Sequence, residues 1–136
     1  MKVNFVDLKK QYQIIKPEID AAIQSVINRS AFILGEDLVS FESEFADYCE
    51  TKYAVGVDSG ISALELGMRV LGIGQGDEVI VPVNTFIASA SAVSFCGARP
   101  VLVDCDKKTF NIDVNKIEKL INKRTKAIMP GPEFIW

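Results

Sequence analysis

The sequence predicts an α/β fold in which a mostly parallel sheet is flanked by helices. Short apolar segments alternate with segments of helical periodicity over residues 54–129, which is the pattern of consecutive β/α units. Strands that are separated by helices pair in parallel through right-handed crossovers. The chain has 136 residues, 49% of them hydrophobic and 24% charged, so it is long enough to form one domain with a sizeable core.

The N-terminal part is expected to form an extended arm followed by two helices. The arm lies before about Leu8, and its apolar contacts are Val3, Phe5, Val6 and Leu8. The first helix is expected to begin around Pro17, because proline suits a first turn and an apolar face follows it. The second helix carries an apolar stripe at helical spacing, which we interpret as a core-facing surface. That stripe consists of Leu38, Phe41, Phe45 and Tyr48.

Four strands and three helices are predicted from residue 54 onwards. The predicted strands are 54–57, 78–81, 100–103 and 126–129. The first predicted helix starts at Ser59, and the second ends at Gly97. The third covers 113–122, with Asp113 as its cap. In an open parallel sheet, ligands bind beyond the carboxyl ends of the strands, so the candidate site is the edge formed by the loops that follow them.

Composition excludes several functional classes. A net charge of -3 leaves no basic face for nucleic acid or an anionic membrane, and the absence of histidine excludes His-based catalysis and His metal ligands. The three cysteines have no metal-ligand spacing, so we expect no metal site and a reducing, cytoplasmic setting. Residues 79–98 are uncharged, but Pro82 and several polar residues interrupt them, so they are not expected to span a membrane. The N-terminus lacks the apolar segment of a signal peptide.

The turn at residues 58–60 is a candidate anion site. A strand that runs directly into a helix leaves the first helical amides unpaired at the sheet edge, where they attract anions. Ser59 is suited to cap the helix or to donate its hydroxyl to an oxyanion, and Gly60 allows a close backbone approach. The alternative is that Asp58 and Ser59 only cap the helix and bind nothing.

Two further loops are expected at the same edge. The loop 82–86 ends in Phe86, whose ring is either a flat surface for a planar ligand or core filling. The loop 104–107 supplies Asp104 and Asp106, which are more often turn-forming residues than ligands.

Long stretches of this chain resemble the N-terminal part of the sugar-nucleotide aminotransferases of the DegT/DnrJ/EryC1/StrS family. The stretches are FILGEDLVSFESEFADYC, AVGVDSGISALELGMRVLGIGQGDEVIVPVNTFIASASAV and GARPVLVDCDKKTFNID. The resemblance implies the large domain of the aspartate-aminotransferase type, which is pyridoxal-phosphate fold type I. It also implies pyridoxal 5′-phosphate as cofactor, amino-group transfer, usually from glutamate, to a keto-sugar nucleotide, and a dimer or other homo-oligomer in polysaccharide or lipopolysaccharide biosynthesis.

The resemblance also assigns the site residues. The phosphate-binding turn of the family falls on Ser59, Gly60, Ile61 and Ser62, and the aromatic residue that stacks on the cofactor ring falls on Phe86. The family usually has threonine at the position of Ile61, so one hydroxyl contact to the phosphate is lost here.

The resemblance implies that residues 1–130 are part of the large domain, divided into an arm with helices (1–53) and β/α units (54–130). Residues 131–136, GPEFIW, fit neither the family nor a helix cap and are expected to be a foreign or out-of-frame tail. The Schiff-base lysine and the aspartate that pairs with the pyridinium nitrogen would lie beyond the chain, so no catalytic residue is assigned. The chain alone is therefore expected to be inactive and to bind the cofactor weakly or not at all.

Two alternatives remain open at this point. The first is a pyridoxal-phosphate-dependent sugar dehydratase of the same family, which differs in the part beyond this chain. The second is a non-catalytic module that binds a phosphorylated metabolite. A Rossmann nucleotide site is less favoured, because residues 57–63 contain no G-x-G-x-x-G motif.

Overall fold

The computed structural model describes residues 5–131, which fall into two compact units that meet in sequence between Gly56 and Val57. The first unit contains helix α1 (Leu8–Arg29) and helix α2 (Glu36–Tyr48). Val3, which was expected in the arm, and residues 132–136 of the expected tail lie outside the described residues. Among the described residues, no helix combines the length and apolar character needed to cross a membrane.

Helix α1 begins well before the predicted start at Pro17, which was wrong. Asp7 caps the helix, because its carboxylate accepts a hydrogen bond from the Lys10 amide at 3.0 Å. Pro17 therefore lies inside the helix, where a missing amide and a ring clash cost about 3 kcal/mol. The capped 22-residue helix tolerates this because its other turns remain hydrogen-bonded.

Leu38 of the apolar stripe of α2 is half-buried, but the other three residues of the stripe do not face a core within the described residues, contrary to the interpretation above. Phe41, Phe45 and Tyr48 are all exposed, Tyr48 to 85%, and Ala46 is the buried residue of this helix. Phe41 and Phe45 stack on each other with ring centroids 5.5 Å apart. The spacing indicated a helix correctly but did not reveal what the helix face contacts.

The second unit is a parallel β/α arrangement, as predicted. Its elements are α3 (Gly60–Val70), β1 (Glu78–Pro82), α4 (Ile87–Phe95), β2 (Arg99–Val103), α5 (Val114–Ile117), a 3₁₀ turn (Glu118–Leu120) and β3 (Thr125–Ile128). The sheet order is β2-β1-β3, and β1 pairs in parallel with both neighbours. Asp113 caps α5 as expected, although that helix is shorter than predicted.

The predicted strand at 54–57 is wrong, because no ladder forms there. The Gly56 amide donates instead to the Glu42 carboxylate at 2.7 Å. A strand requires a neighbouring strand to satisfy its backbone groups, and the sheet described for residues 5–131 offers this segment none.

The core of the second unit lies between β1 and the pair α3 and α4. All five residues of β1 are buried, which is typical of a central parallel strand covered on both faces. The buried cluster on the helix side consists of Met68, Ile73, Val79, Val81, Ala92, Val93, Cys96 and Ala98. Both helices end in the same hydrogen-bonded cap, in which Gly72 and Gly97 adopt positive φ (74° and 81°) and return the chain to the sheet.

Glu78 connects the starts of the three strands. Its side chain is 2% exposed and accepts hydrogen bonds from Asn122 at 2.8 Å and from Arg99 at 2.6 Å, while Arg124 forms an ion pair at 2.7 Å. The Asn122 hydrogen bond, followed by that of Arg99, lowers the pKa of this carboxyl below its ordinary value. A buried carboxylate held in this way is a fully satisfied ionic group rather than an unpaired charge.

Candidate functional site

An open groove of about 650 Å³ lies between the start of α3 and the start of α4. One wall is formed by Ser59, Gly60 and Ile61, and Phe86 lies on the other. Both helices start at the edge where the sheet's strands end, so the groove occupies the position expected for a ligand in a parallel sheet. Four of the five predicted site residues therefore line one groove, and the fifth, Ser62, is hydrogen-bonded to Ser59.

The first wall is rich in hydrogen-bond donors. Ser59 caps α3, and its hydroxyl accepts from the Ser62 amide at 3.3 Å. The Ser59 and Ser62 hydroxyl oxygens lie 2.9 Å apart, so one hydroxyl proton joins them and the other stays available to a ligand. Among residues 5–131, no acceptor is found for the amides of Gly60 and Ile61. These donors, at the positive end of an 11-residue helix, favour an anion.

Gly60 leaves the first wall open. A Cβ built at this position would meet no heavy atom within 4 Å, so the protein's own packing does not require glycine there. The space that a side chain would take is therefore free for a ligand approaching the backbone.

Ile61 lines the wall and is also partly packed into the protein. The side chain is half-buried and packs against the core cluster, as does that of Leu64 one turn later. This packing gives a physical reason for an apolar residue at the position where a threonine would offer a hydroxyl. The backbone amide of residue 61 is the same whether the side chain is isoleucine or threonine.

Phe86 forms the opposite wall and is not core filling. Its side chain is 78% exposed, and the residue occupies the cap position of α4 with an extended backbone (φ -65°, ψ 141°). Phe86 and the neighbouring Ile87, together with Leu64 of α3, make the rest of the groove lining mainly apolar. A groove with donors at one side and an aromatic ring at the other suits a planar ligand that carries an anionic group.

The third loop does not contribute carboxylates to this groove. Asp104 pairs with Lys116 at 2.8 Å, and this hydrogen bond is the main cause that lowers the pKa of its carboxyl. Asp106 accepts from the amides of Thr109 and Lys108, both at 2.9 Å, and these bonds lower the pKa of that carboxyl too. Asp104 therefore connects its loop to helix α5, Asp106 stabilises its own turn, and neither lines the groove.

Five residues that line the groove were not predicted as site residues. They are Leu64, Ile87, Ala88, Ser89 and Ser91. For Leu64, Ala88 and Ser89 the available signal was helical spacing, since each lies three or four positions beyond a residue at a helix start, Gly60 or Thr85. Within the described part of the chain, no group of three or more acidic or cysteine side chains is arranged to hold a metal ion.

Comparisons with known proteins identify relatives along nearly the whole chain. The sequence model of the DegT/DnrJ/EryC1/StrS aminotransferase family matches residues 13–131. The chain is similar to the dTDP-3-amino-3,4,6-trideoxy-alpha-D-glucose transaminase of Streptomyces venezuelae, with 50% identity over 129 residues. The aligned part makes up 95% of this chain and 34% of that protein.

Solved structures give the same result for the fold. The S. venezuelae DesV structure, in complex with a ketimine intermediate, matches with a TM-score of 0.90 at 50% identity, covering 95% of this chain and 35% of that one. The NtdA structure from Bacillus subtilis, with bound cofactor PMP, matches with a TM-score of 0.88 at 35% identity, covering 95% and 30%. The expected fold class is thereby confirmed, and the chain spans about a third of the length of the relatives it matches.

Proposed function

Because the chain belongs to the DegT/DnrJ/EryC1/StrS aminotransferase family, we propose that it provides the cofactor-phosphate site of a pyridoxal 5′-phosphate-dependent aminotransferase. The amino acceptor in this proposal is a nucleotide-linked keto-sugar and the donor is glutamate. One observation carries the proposal, namely that helix-start amides without an acceptor among residues 5–131 and an exposed aromatic ring line the same groove.

The groove fits this cofactor in two respects. The phosphate of the cofactor needs several hydrogen-bond donors at close range. The groove supplies the amides of Gly60 and Ile61 and the spare proton of the Ser59–Ser62 hydroxyl pair. The ring of the cofactor needs a flat apolar surface, which Phe86 offers on the opposite wall. When bound, the cofactor supplies the electron sink for amino transfer.

The residues of this chain bind and orient the cofactor, and none is assigned to proton transfer. No lysine of the chain is proposed as the Schiff-base residue, because a lysine with that role needs a desolvated or positively charged setting that depresses its pKa. We therefore expect the chain alone to transfer no amino group. After incubation with pyridoxal phosphate and borohydride, adducts should be spread over several exposed lysines, whereas one uniquely labelled lysine would contradict this assignment.

Assembly and location follow the same proposal. The described part of α1 buries no residue, and its exposed side chains include Ile14 and Ile23. An apolar helix face of this kind supports association with further copies of the protein. The cysteines at positions 49, 96 and 105 are free thiols, which supports a reducing compartment and so a cytoplasmic location.

The phosphate site can be tested on the chain by NMR titration. The ligands are inorganic phosphate and pyridoxamine 5′-phosphate, which has no aldehyde and so does not react with lysines. We expect the amide signals of Gly60, Ile61 and Ser62 to shift, with a Kd on the order of 1 mM. Gly67 of the same helix serves as the internal control and should not shift. Unchanged signals at 60–62, or equal shifts at Gly67, would refute the site.

The aromatic wall is tested by a matched pair of variants. Phe86→Ala should weaken pyridoxamine phosphate binding and leave inorganic phosphate binding unchanged, because only the former has a ring. Phe95→Ala, on the same helix and 56% exposed, does not line the groove and should alter neither affinity. Equal losses for both ligands in Phe86→Ala would rule out stacking.

A further inference from the structure

Two hydroxyl groups flank Phe86 and bond to each other. Thr85 directly precedes Phe86, Ser89 follows it by three residues, and their hydroxyl oxygens lie 2.9 Å apart. Both side chains are half-buried, so water competes only partly for this bond. The bond closes a short loop around the residue that carries the aromatic wall.

Phe86 has few other restraints on its orientation. Its side chain is largely exposed and so lacks a packed surround, and as the cap residue of α4 it makes no side-chain capping bond. Its carbonyl accepts from the Ser89 amide at 3.0 Å, which is the other local bond at this turn. The direction of the ring therefore depends on the backbone of residues 85–89, and the hydroxyl pair stabilises that backbone.

We infer that the Thr85–Ser89 hydroxyl pair is a positioning element that holds the Phe86 ring against the groove for a planar, phosphate-bearing ligand. This inference rests on the proposed function, because it concerns the same groove. It adds two positioning residues to the wall opposite the phosphate donors. Neither residue was assigned from the sequence.

A purely structural role predicts a different behaviour. If the pair only stabilised the start of α4, its loss would affect the groove as a whole and both ligands alike. If it acts through Phe86, its loss affects only a ligand with a ring, and only while Phe86 is present. The two roles are separated by comparing two ligands and two backgrounds.

The experiment measures affinities for pyridoxamine 5′-phosphate and inorganic phosphate by NMR titration of the full chain. Thr85→Val, which removes the hydroxyl at constant shape, should weaken pyridoxamine phosphate binding about fivefold, the equivalent of one hydrogen bond. Inorganic phosphate binding should not change, and Thr85→Ser should restore the wild-type value. Ser94→Ala is the matched control, because this exposed hydroxyl on α4 donates to the Ala90 carbonyl of its own helix at 3.1 Å and has no other partner among residues 5–131.

Two combined variants complete the test. Thr85→Val with Ser89→Ala should lose no more than either variant alone, since one bond is removed in each case. In a Phe86→Ala background, Thr85→Val should have no further effect on either ligand. Equal weakening of both ligands, a failure of Thr85→Ser to restore binding, or a persistent effect without Phe86 would overturn the inference. If the wild-type chain binds phosphate but Thr85→Val changes nothing, the inference fails alone; if the wild type binds neither ligand, the proposed function fails first.

Discussion

The substitution Gly60→Ala separates ligand binding from stability, and Gly67→Ala in the same helix is its matched control. A Cβ at either position meets no heavy atom within 4 Å, and neither glycine adopts positive φ. No steric strain is therefore expected in either variant. Replacing Gly67 inside the helix should raise the free energy of unfolding by about 1 kcal/mol, since alanine is the better helix former. Replacing Gly60 at the first helical position should raise it by about 0.4 to 1 kcal/mol through the unfolded chain.

Although Gly60→Ala should stabilise the fold, it should weaken phosphate binding. An anion oxygen bound to its amide lies about 2.9 Å from the nitrogen, within contact distance of an added methyl group. Losing one hydrogen bond to a charged group costs about 1.5 to 3 kcal/mol, which is roughly a tenfold to hundredfold loss of affinity. Gly67→Ala should bind phosphate as the wild type does, because that residue does not line the groove.

Urea unfolding and phosphate titration by NMR measure the two quantities on the same samples. The expected result is a Gly60→Ala variant that is at least as stable as the wild type and binds phosphate at least tenfold more weakly. Wild-type phosphate affinity in Gly60→Ala would show that the first wall is not the anion site. A large loss of stability in Gly60→Ala would instead contradict the open space found at this position.

Three further predictions follow from the packing and the charges. Ile61→Thr should lower the free energy of unfolding by about 1 kcal/mol, because it removes apolar contact with the core. The same variant should bind phosphate more tightly, because it adds a hydroxyl, and unchanged phosphate affinity in a titration would contradict this. Glu78, whose pKa is lowered from 4.5, contributes stability that is present above that pH and lost as the pH falls through the folded value. The thermal midpoint of the wild type should therefore fall more steeply on acidification than that of Glu78→Gln. If the two proteins gave parallel curves of thermal midpoint against pH, the Glu78 carboxylate would not be the stabilising group. The chain should self-associate at micromolar concentration in sedimentation runs, because α1 exposes apolar residues and because β2 and β3 are edge strands of the described sheet. A monomer that unfolds cooperatively would contradict this prediction.

Local patterns determined the elements whose signals are contained within a few residues. The apolar strand at 78–82, the serine that caps α3 and the position of Phe86 at the start of α4 were all predictable, because periodicity and capping depend on neighbours in sequence. The parallel arrangement followed from the alternation of these elements. The start of α1 was also locally encoded, in the Asp7 cap, but the proline signal outweighed it in the prediction.

Tertiary structure decided what depends on partners that are distant in sequence. Segment 54–57 has the composition of a strand, but its Gly56 amide bonds the Glu42 side chain because no strand lies beside it in the described sheet. Ile61 packs on the core, and Glu78 meets Asn122, 44 positions away, through contacts that no local pattern contains. Burial and hydrogen-bond satisfaction are properties of the folded surroundings, so the sequence indicated where the candidate groove lies, while only the packed structure determined which of its groups lack a partner within the described residues.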